Sequence, residues 1–377
     1  MERLTPANIF CNFFGKIEVV KLPCYYPLKA SRVGTDVLSG KAIIKVFSNL
    51  EQLPDSMETF PIPCGRCIGC RLDYAHEWAN RCLLELKYHE QSSFLTLTYD
   101  DLHVPRVVKD GQMYYTLDKR DLQLFFKRLR KAIAPTKIRY LACGEYGDEH
   151  FRPHFHVILF GYQFPDLEPL PSMSKTYRPM WRSNMLYDLW SMAPRSSVSQ
   201  AKISPAGVAT VQEVNYATCS YVARYVLKKL NAGDDGFYSC RGIVPPYLAM
   251  SRRPGIGRRF LDDHPDLFDT DFIHVSAGID GGKKFRPPKY FERIRSELDP
   301  IAHDEHSALA SALAEEAIVN EELMTGMDHI QYLNRLAEIK SAEIKSLKRS
   351  VGDGTQANQP QARSQGVPPY RNQIKAH

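Results

Sequence analysis

The residues with chemistry to offer fall into three short stretches. In "FRPHFHVILFG" (151–161), two histidines flank a phenylalanine at the head of an apolar run. Successive residues of a strand point to opposite faces, so His154 and His156 would share one face and Phe155 would take the other. About 0.4 His-x-His pairs are expected by chance in a chain of this histidine content, so the pair needs support from its surroundings. Glu145 offers it, since "YGDEHFRP" (146–153) between Glu145 and His154 reads as a turn. A hairpin there would set a carboxylate beside two imidazoles. That donor set suits a divalent ion such as Mg or Mn that keeps positions open for substrate, and zinc fits the same ligands. The plainer alternative is two structural histidines and an exposed glutamate.

The second stretch is "SYVARYVLKK" (220–229). Tyr221 and Tyr225 are four apart and share a helix face, and Arg224 and Lys228 each follow a tyrosine by three. A phenol titrates at about pH 10, so attack at neutral pH needs a nearby cation or base. A basic side chain one turn away can hold a phosphate or favour the phenolate. Tyrosine rings half-buried on an amphipathic helix are the alternative. The third stretch, "PCGRCIGC" (63–70), places Cys64, Cys67 and Cys70 at C-x-x-C-x-x-C. Chance gives about 0.005 such triplets in this length. Three thiolates at this spacing suit a structural Zn completed by a fourth ligand. Cys24, in "LPCYYP", is the first choice, with Cys82 and His76 as the others. An iron–sulfur cluster is the rival occupant.

The elements that must position these residues are partly readable. Residues 71–90 carry apolar side chains at helical spacing, and 92–100 ("SSFLTLTYD") read as a buried strand. Asp118 is placed to cap a helix over 119–132, whose exposed side is rich in Lys and Arg. Strands follow at 138–147, 154–161 and 207–214, with helices at 187–192 and 216–230. "KAIIKVF" (41–47) reads as a further strand. This alternation, with at least one hairpin, predicts an α+β domain around a largely antiparallel sheet flanked by helices. The expected division is an irregular N-terminal region with the Cys cluster (1–70), the main domain (71–295), a polar helical extension (296–349) and a disordered tail (350–377).

Composition narrows the class. The chain has 377 residues, 44% of them apolar and 24% charged, which is the profile of a folded protein. No apolar run is long enough for a membrane span, and the N-terminus lacks the pattern of a secretory signal. An intracellular protein with thiol rather than disulfide cysteines is therefore expected. The net charge is +6, but residues 301–345 hold nine acidic and three basic side chains, so the rest of the chain carries +12. A basic body with an acidic appendage fits a nucleic-acid partner. Lys127, Arg128 and Arg130 in the basic helix, and Arg252, Arg253, Arg258 and Arg259 in the loop "SRRPGIGRRF" (251–260), are the candidate backbone contacts. No phosphate-binding loop of the ATPase type is present.

Taken in order, the strand "FLTLTYD" (94–100), the segment "GEYGDEHFRPHFH" (144–156) and the helix "YVARYVLKK" (221–229) resemble the three motifs of the HUH endonucleases. With "PCGRCIGCRLDYAHEWANRC" and "SRRPGIG" added, the chain is similar, from about Cys24 to about Phe260, to replication initiation proteins of gokushovirus-type Microviridae. The resemblance implies an HUH-like nuclease domain. It implies a metal held by His154, His156 and Glu145, and tyrosine nucleophiles at Tyr221 and Tyr225, assisted by Arg224 and Lys228. Arg224 stands where a lysine is usual in the family; its charge is kept, but not a lysine's capacity for proton transfer. The implied function is rolling-circle initiation by nicking and rejoining through a 5′-phosphotyrosine link. The implied partners are single-stranded or locally melted origin DNA and a host helicase with other replication proteins, in the cytoplasm of an infected bacterium. A relaxase or transposase of the same chemistry, a zinc hydrolase and a non-enzymatic zinc-stabilised DNA-binding protein are the competing readings.

Overall fold

A computed structural model describes residues 24–36, 42–47, 59–147, 150–171, 179–195, 202–229, 235–269, 272–276 and 281–352. The side chains of residues 224–229, with those of 235, 269, 311 and 344–352, lie outside the described residues, as does the expected tail beyond 352. The chain begins with β1 (Leu28–Thr35), β2 (Ala42–Phe47) and β3 (Phe60–Ile62), which form a small antiparallel sheet in the order β2-β1-β3. This region was expected to be irregular apart from one strand. Its exposed apolar residues and mixed polar pattern hide the pairing, which β1 satisfies by bonding on both edges.

Helix α1 (Ile68–Leu86) follows, starting three residues earlier than its apolar spacing suggests because the Cys67 sulfur caps it by accepting from the Cys70 N–H. Next come β4 (Ser92–Thr98), a hairpin of β5 (Arg106–Lys109) and β6 (Gln112–Tyr115), and α2 (Lys119–Ala132), capped by Asp118. The central hairpin is β7 (Arg139–Tyr146) and β8 (Pro153–Phe160). The chain then passes through β9 (Glu168–Pro169), β10 (Trp181–Arg182), α3 (Asn184–Leu189), β11 (Ser191–Met192), β12 (Ser204–Pro205) and β13 (Ala209–Gln212) to α4 (Tyr216–Lys229). After α5 (Asp235–Cys240) come β14 (Tyr247–Met250), α6 (Arg258–Asp263), the hairpin β15 (Ile273–Ser276) and β16 (Gly282–Phe285), and α7 (Lys289–Leu298). Two long helices, α8 (Pro300–Thr325) and α9 (His329–Gly352), end the described chain, the first closed by Gly326 in the left-handed conformation.

Seven strands form one sheet, in the order β14-β7-β8-β4-β13-β10-β9, with every neighbouring pair antiparallel. The chain is thus a mixed α+β protein with a large antiparallel sheet between helices. Period-two alternation splits its side chains between two cores. Leu95, Leu97, Ala142, Phe155, Val157 and Leu159 face α2 and α3, packing on Phe125, Leu129, Leu186 and Trp190. Phe94, Leu141, Cys143, Ile158 and Phe160 face α1 and α4, packing on Ala75, Ala79, Cys82, Cys219, Val222 and Ala223. Small residues on both helices let α1 and α4 lie close together, and the Tyr216 hydroxyl donates to Asn80 Oδ1 (3.1 Å) across the pair. Among the described residues, no helix is long and apolar enough to cross a membrane.

Candidate metal centres and the tyrosine helix

The register of the β7–β8 hairpin pairs Glu145 with His154 and Cys143 with His156. On the other side of β8, Thr96 pairs with His156 and Thr98 with His154. Paired residues share a face, so Glu145, His154, His156 and Thr96 all point to the side covered by α1 and α4. The sheet's two faces answer why a buried strand carries two imidazoles: the same alternation that puts Phe155 into one core puts the histidines at the rim of the other.

His154 Nε2 and His156 Nε2 lie 2.9 Å and 3.0 Å from Glu145 Oε1. The Nδ1 of His154 lies 3.2 Å from the Arg152 carbonyl, which only accepts, so Nδ1 carries the proton and donates. The Nδ1 of His156 is 3.1 Å from Thr96 Oγ1. The neutral His154 ring therefore turns a bare lone pair toward a carboxylate, an arrangement that calls for a proton or a cation between them. Glu145 is 1% exposed. Burial alone would raise its carboxyl, but the hydrogen bonds and charge of the two histidines outweigh that and hold it below its ordinary value. Two cis ligands on an octahedral ion at about 2.1 Å would be about 3.0 Å apart, which is the spacing found. The trio fits a divalent cation with positions left open.

Helix α4 crosses this rim. Asn215 opens it, its Oδ1 accepting from the Thr218 N–H (3.0 Å). Tyr221 is half-buried, its ring edge-on to His156 (centroids 5.1 Å, planes at 82°) and to Phe94 (6.3 Å, 85°), while Phe94 stacks on His156 at 5.5 Å. Tyr221 thus stands beside the trio. Arg224, Tyr225 and Lys228 belong to the same helix, but their side chains lie outside the described residues.

The cysteine cluster closes. Sulfur atoms of Cys24, Cys64, Cys67 and Cys70 all lie within 4.8 Å of one another, with Cys64–Cys70 at 4.0 Å and Cys67–Cys24 at 3.9 Å. Four thiolates around one tetrahedral ion at about 2.3 Å would be about 3.8 Å apart, so the spacing matches a single metal and is tight for a multi-iron cluster. Backbone N–H groups converge on the sulfurs: Cys64 on Cys24 (3.2 Å), Cys67 on Cys64 (3.3 Å), and Tyr25 and Cys70 on Cys67 (both 3.4 Å). Burial opposes ionisation of Cys67, yet the N–H groups of Cys70 and Tyr25 bring its thiol down to about 7. Cys82 is instead buried in the core between α1 and α4, and His76 is no part of the cluster. Leu333, Leu336 and Ala337 of α9 pack against Tyr25, Cys67 and Ile68, so the C-terminal helix rests on this centre, a contact with no signal in the sequence.

The basic candidates separate. Helix α2 packs on the sheet face opposite the trio, and Arg128 is tied inward, its Nε donating to the Leu189 carbonyl (2.8 Å). Lys127 and Arg130 are exposed on that far side, so α2 presents no side chain to the trio. In the arginine loop, Arg258 and Arg259 pair with Asp262 and Asp263, whereas Arg252 and Arg253 are exposed. The loop is anchored by Glu85 of α1, whose Oε2 accepts from the Gly257 N–H (2.7 Å) and whose other oxygen meets Arg139 and His89. Thr96, Phe94 and Glu85 were not foreseen as site residues; the alternation "FLTLT", with Phe94 and Thr96 in step with His156, was the available cue for the first two.

A family of replication-associated proteins of the ORF2 type matches residues 92–230, the span from β4 through α4. Replication-associated protein ORF2 of Spiroplasma virus 4 is 30% identical over 305 residues, covering 78% of this chain and 86% of that protein. Replication-associated protein VP4 of Bdellovibrio phage phiMH2K is 29% identical over 288 residues, 71% and 80% of the two chains. Replication-associated protein ORF4 of Chlamydia phage 1 is 33% identical over 246 residues, 64% and 55%. No solved structure matches the chain.

Proposed function

The chain belongs to the ORF2-type family of replication-associated proteins, and from that premise we propose that it initiates rolling-circle replication by nicking and rejoining single-stranded phage origin DNA. The observation that carries the chemistry is the convergence of Glu145, His154 and His156 on one point, with Tyr221 edge-on to His156. In this reading the domain is an HUH-type nuclease. Glu145, His154 and His156 hold a divalent cation, Mg or Mn by donor set, which supplies Lewis-acid polarisation of a non-bridging phosphate oxygen. Thr96 and the Arg152 carbonyl hold the imidazoles in the orientation that leaves both Nε2 atoms for the site.

Tyr221 or Tyr225 attacks the scissile phosphorus. The new bond is tyrosine oxygen to phosphorus, and the bond broken is phosphorus to the 3′ oxygen. The phenolic proton is lost as the 3′ oxygen gains one. Arg224 and Lys228 neutralise charge on the phosphate. The link conserves the phosphodiester, so rejoining to a 3′-OH needs no nucleotide hydrolysis. Two tyrosines on one helix face serve a cycle in which one holds the old 5′ end and the other cuts the regenerated origin. The four cysteines hold a structural Zn that fixes the start of α1. A host helicase would provide the single strand.

The test is a denaturing gel of the full chain mixed with labelled single-stranded oligonucleotides tiled across the phage origin, with Mn or with EDTA. The expected result is a covalent protein–DNA band that needs metal. It disappears in His154→Ala and in the Tyr221→Phe/Tyr225→Phe double variant. Cleavage without any covalent band would point to a water-using hydrolase. Binding with neither would point to a zinc-stabilised DNA-binding protein. Either result overturns the proposal.

A further inference from the structure

A cavity of about 610 Å³ opens along β14, the outer strand of the seven-stranded sheet. Its size is in the range of small-molecule sites. Tyr74, Phe126, Tyr140 and Tyr247 give it aromatic walls, Lys119 and Arg252 give it charge, and no acidic side chain lines it. Phe126 and Tyr140 are stacked at 3.9 Å, and the Lys119 Nζ sits 5.0 Å from the centre of the Tyr247 ring. Tyr247 is fixed from behind by Gly144. A Cβ at that glycine would come within 2.9 Å of the tyrosine ring, so the position admits no side chain without displacing it.

The Tyr247 hydroxyl is the unusual feature. The residue is 9% exposed, its oxygen is buried, and among the described residues that oxygen has no hydrogen-bond partner. Burial pushes its phenol far above the ordinary value, so it stays an O–H donor at any working pH. A buried hydroxyl without a partner costs stability, and such groups are uncommon unless a ligand supplies the partner. The cavity is separate from the Glu145 trio. Tyr140 and Tyr247 stand on the opposite sheet face, with Tyr247 paired to Gly144, the residue before Glu145.

We propose that this cavity binds one nucleotide unit, its base against the aromatic walls with a polar edge accepting from the Tyr247 hydroxyl, and its phosphate on Lys119 and Arg252. A flat, hydrogen-bonding, anionic ligand answers every feature of the lining together. A purely apolar ligand leaves the hydroxyl and both cations unmatched. A base stacked in a duplex cannot enter, so the unit is either a nucleotide of a single strand or a free nucleotide. Placing it in the strand rests on the reading of the chain as a single-strand DNA enzyme; the cavity's chemistry does not. One nucleotide held at the sheet edge would fix the register of the strand relative to the trio.

The test uses the full chain in EDTA, so that no cleavage chemistry contributes. Single-stranded origin oligonucleotides carry 5-iododeoxyuridine at one position at a time, and free 5-iododeoxyuridine monophosphate is run beside them. Each is irradiated, digested and mapped by mass spectrometry. The expected result is a crosslink from one oligonucleotide position to the peptide bearing Tyr140 or Tyr247, retained in Tyr221→Phe. Tyr247→Phe should fold normally and bind the strand several-fold more weakly, and Tyr140→Leu about tenfold more weakly, the size of a lost stacking contact. Crosslinking by the free nucleotide alone would keep the site and assign it to a free ligand. Crosslinks that map only elsewhere, with unchanged affinity in Tyr247→Phe and Tyr140→Leu, would overturn the inference. Because the assay excludes cleavage, its failure is distinct from a failure to form the tyrosine adduct.

Discussion

Replacing Glu85 tests how the arginine loop is held. The Glu85 side chain is 5% exposed and meets three groups: His89 Nε2 at 3.1 Å, the Gly257 N–H at 2.7 Å, and the Arg139 guanidinium, itself 20% exposed. Removing one partner of a buried ion pair costs about 3–5 kcal/mol, and the partial exposure of Arg139 reduces this. Glutamine keeps the shape and one accepting oxygen, so Glu85→Gln should lose about 2 kcal/mol, and Glu85→Ala about 4 kcal/mol. Burial by itself would raise the Glu85 carboxyl, but His89, the Gly257 N–H and Arg139 together bring it below its ordinary value. A carboxyl lowered in the folded state adds stability that is fully present above its unfolded pKa and is lost as pH falls through the folded one. The wild-type advantage over Glu85→Gln in urea melts should therefore be full at pH 7 and should shrink below about pH 4. The same variant should weaken single-strand binding, because Gly257 anchors the loop that carries Arg252 and Arg253. Equal melts at pH 7, or a gap that widens toward low pH, would refute the assigned role of Glu85.

Thr96→Val keeps the strand but removes the oxygen that meets His156 Nδ1 (3.1 Å), and should lower Mn affinity by about 10- to 100-fold in a titration followed by electron paramagnetic resonance. An unchanged affinity would mean that the trio does not bind metal in this arrangement. Cys24→Ser should lose one equivalent of Zn by elemental analysis and expose α9 to trypsin at Arg335, since Leu333 and Ala337 pack on the cluster. Continued protection of Arg335 would show that α9 is held without the metal. Tyr247→Phe removes an unpaired buried hydroxyl and should raise the stability of the nucleotide-free protein by about 1 kcal/mol in urea melts. A loss of that size instead would mean that the hydroxyl has an internal partner.

The metal trio was legible because two simple periods determine it. Residues two apart on a strand share a face, which ties His154 to His156, and a tight hairpin returns Glu145 to the same position along the sheet. The observed register, Glu145 opposite His154, needs nothing from distant parts of the chain. The tyrosines were legible for the same reason, through helical spacing, although only Tyr221 can be followed to the trio. The fourth cysteine was harder. Cys24 is 40 residues from Cys64, and what joins them is the pairing of β1 with β3, short strands whose apolar side chains are largely exposed. The basic helix misled through its composition. Its apolar stripe demanded a sheet face, but either face satisfies that demand, and packing chose the one away from the trio. Strand β14 was invisible because four residues between two prolines and an arginine loop carry too little pattern. The cavity beside it depends on Gly144, whose missing side chain has meaning only once Tyr247 is known to lie over it.

The most direct measurement is mass spectrometry of the protein after reaction with an origin oligonucleotide and Mn, followed by nuclease and trypsin digestion. The account predicts a nucleotide joined through its 5′ phosphate to Tyr221 or Tyr225, absent in EDTA and absent when Glu145 is replaced by Gln. A cleaved oligonucleotide with a free 5′ end and no modified tyrosine, or a modification that persists without metal, would contradict it.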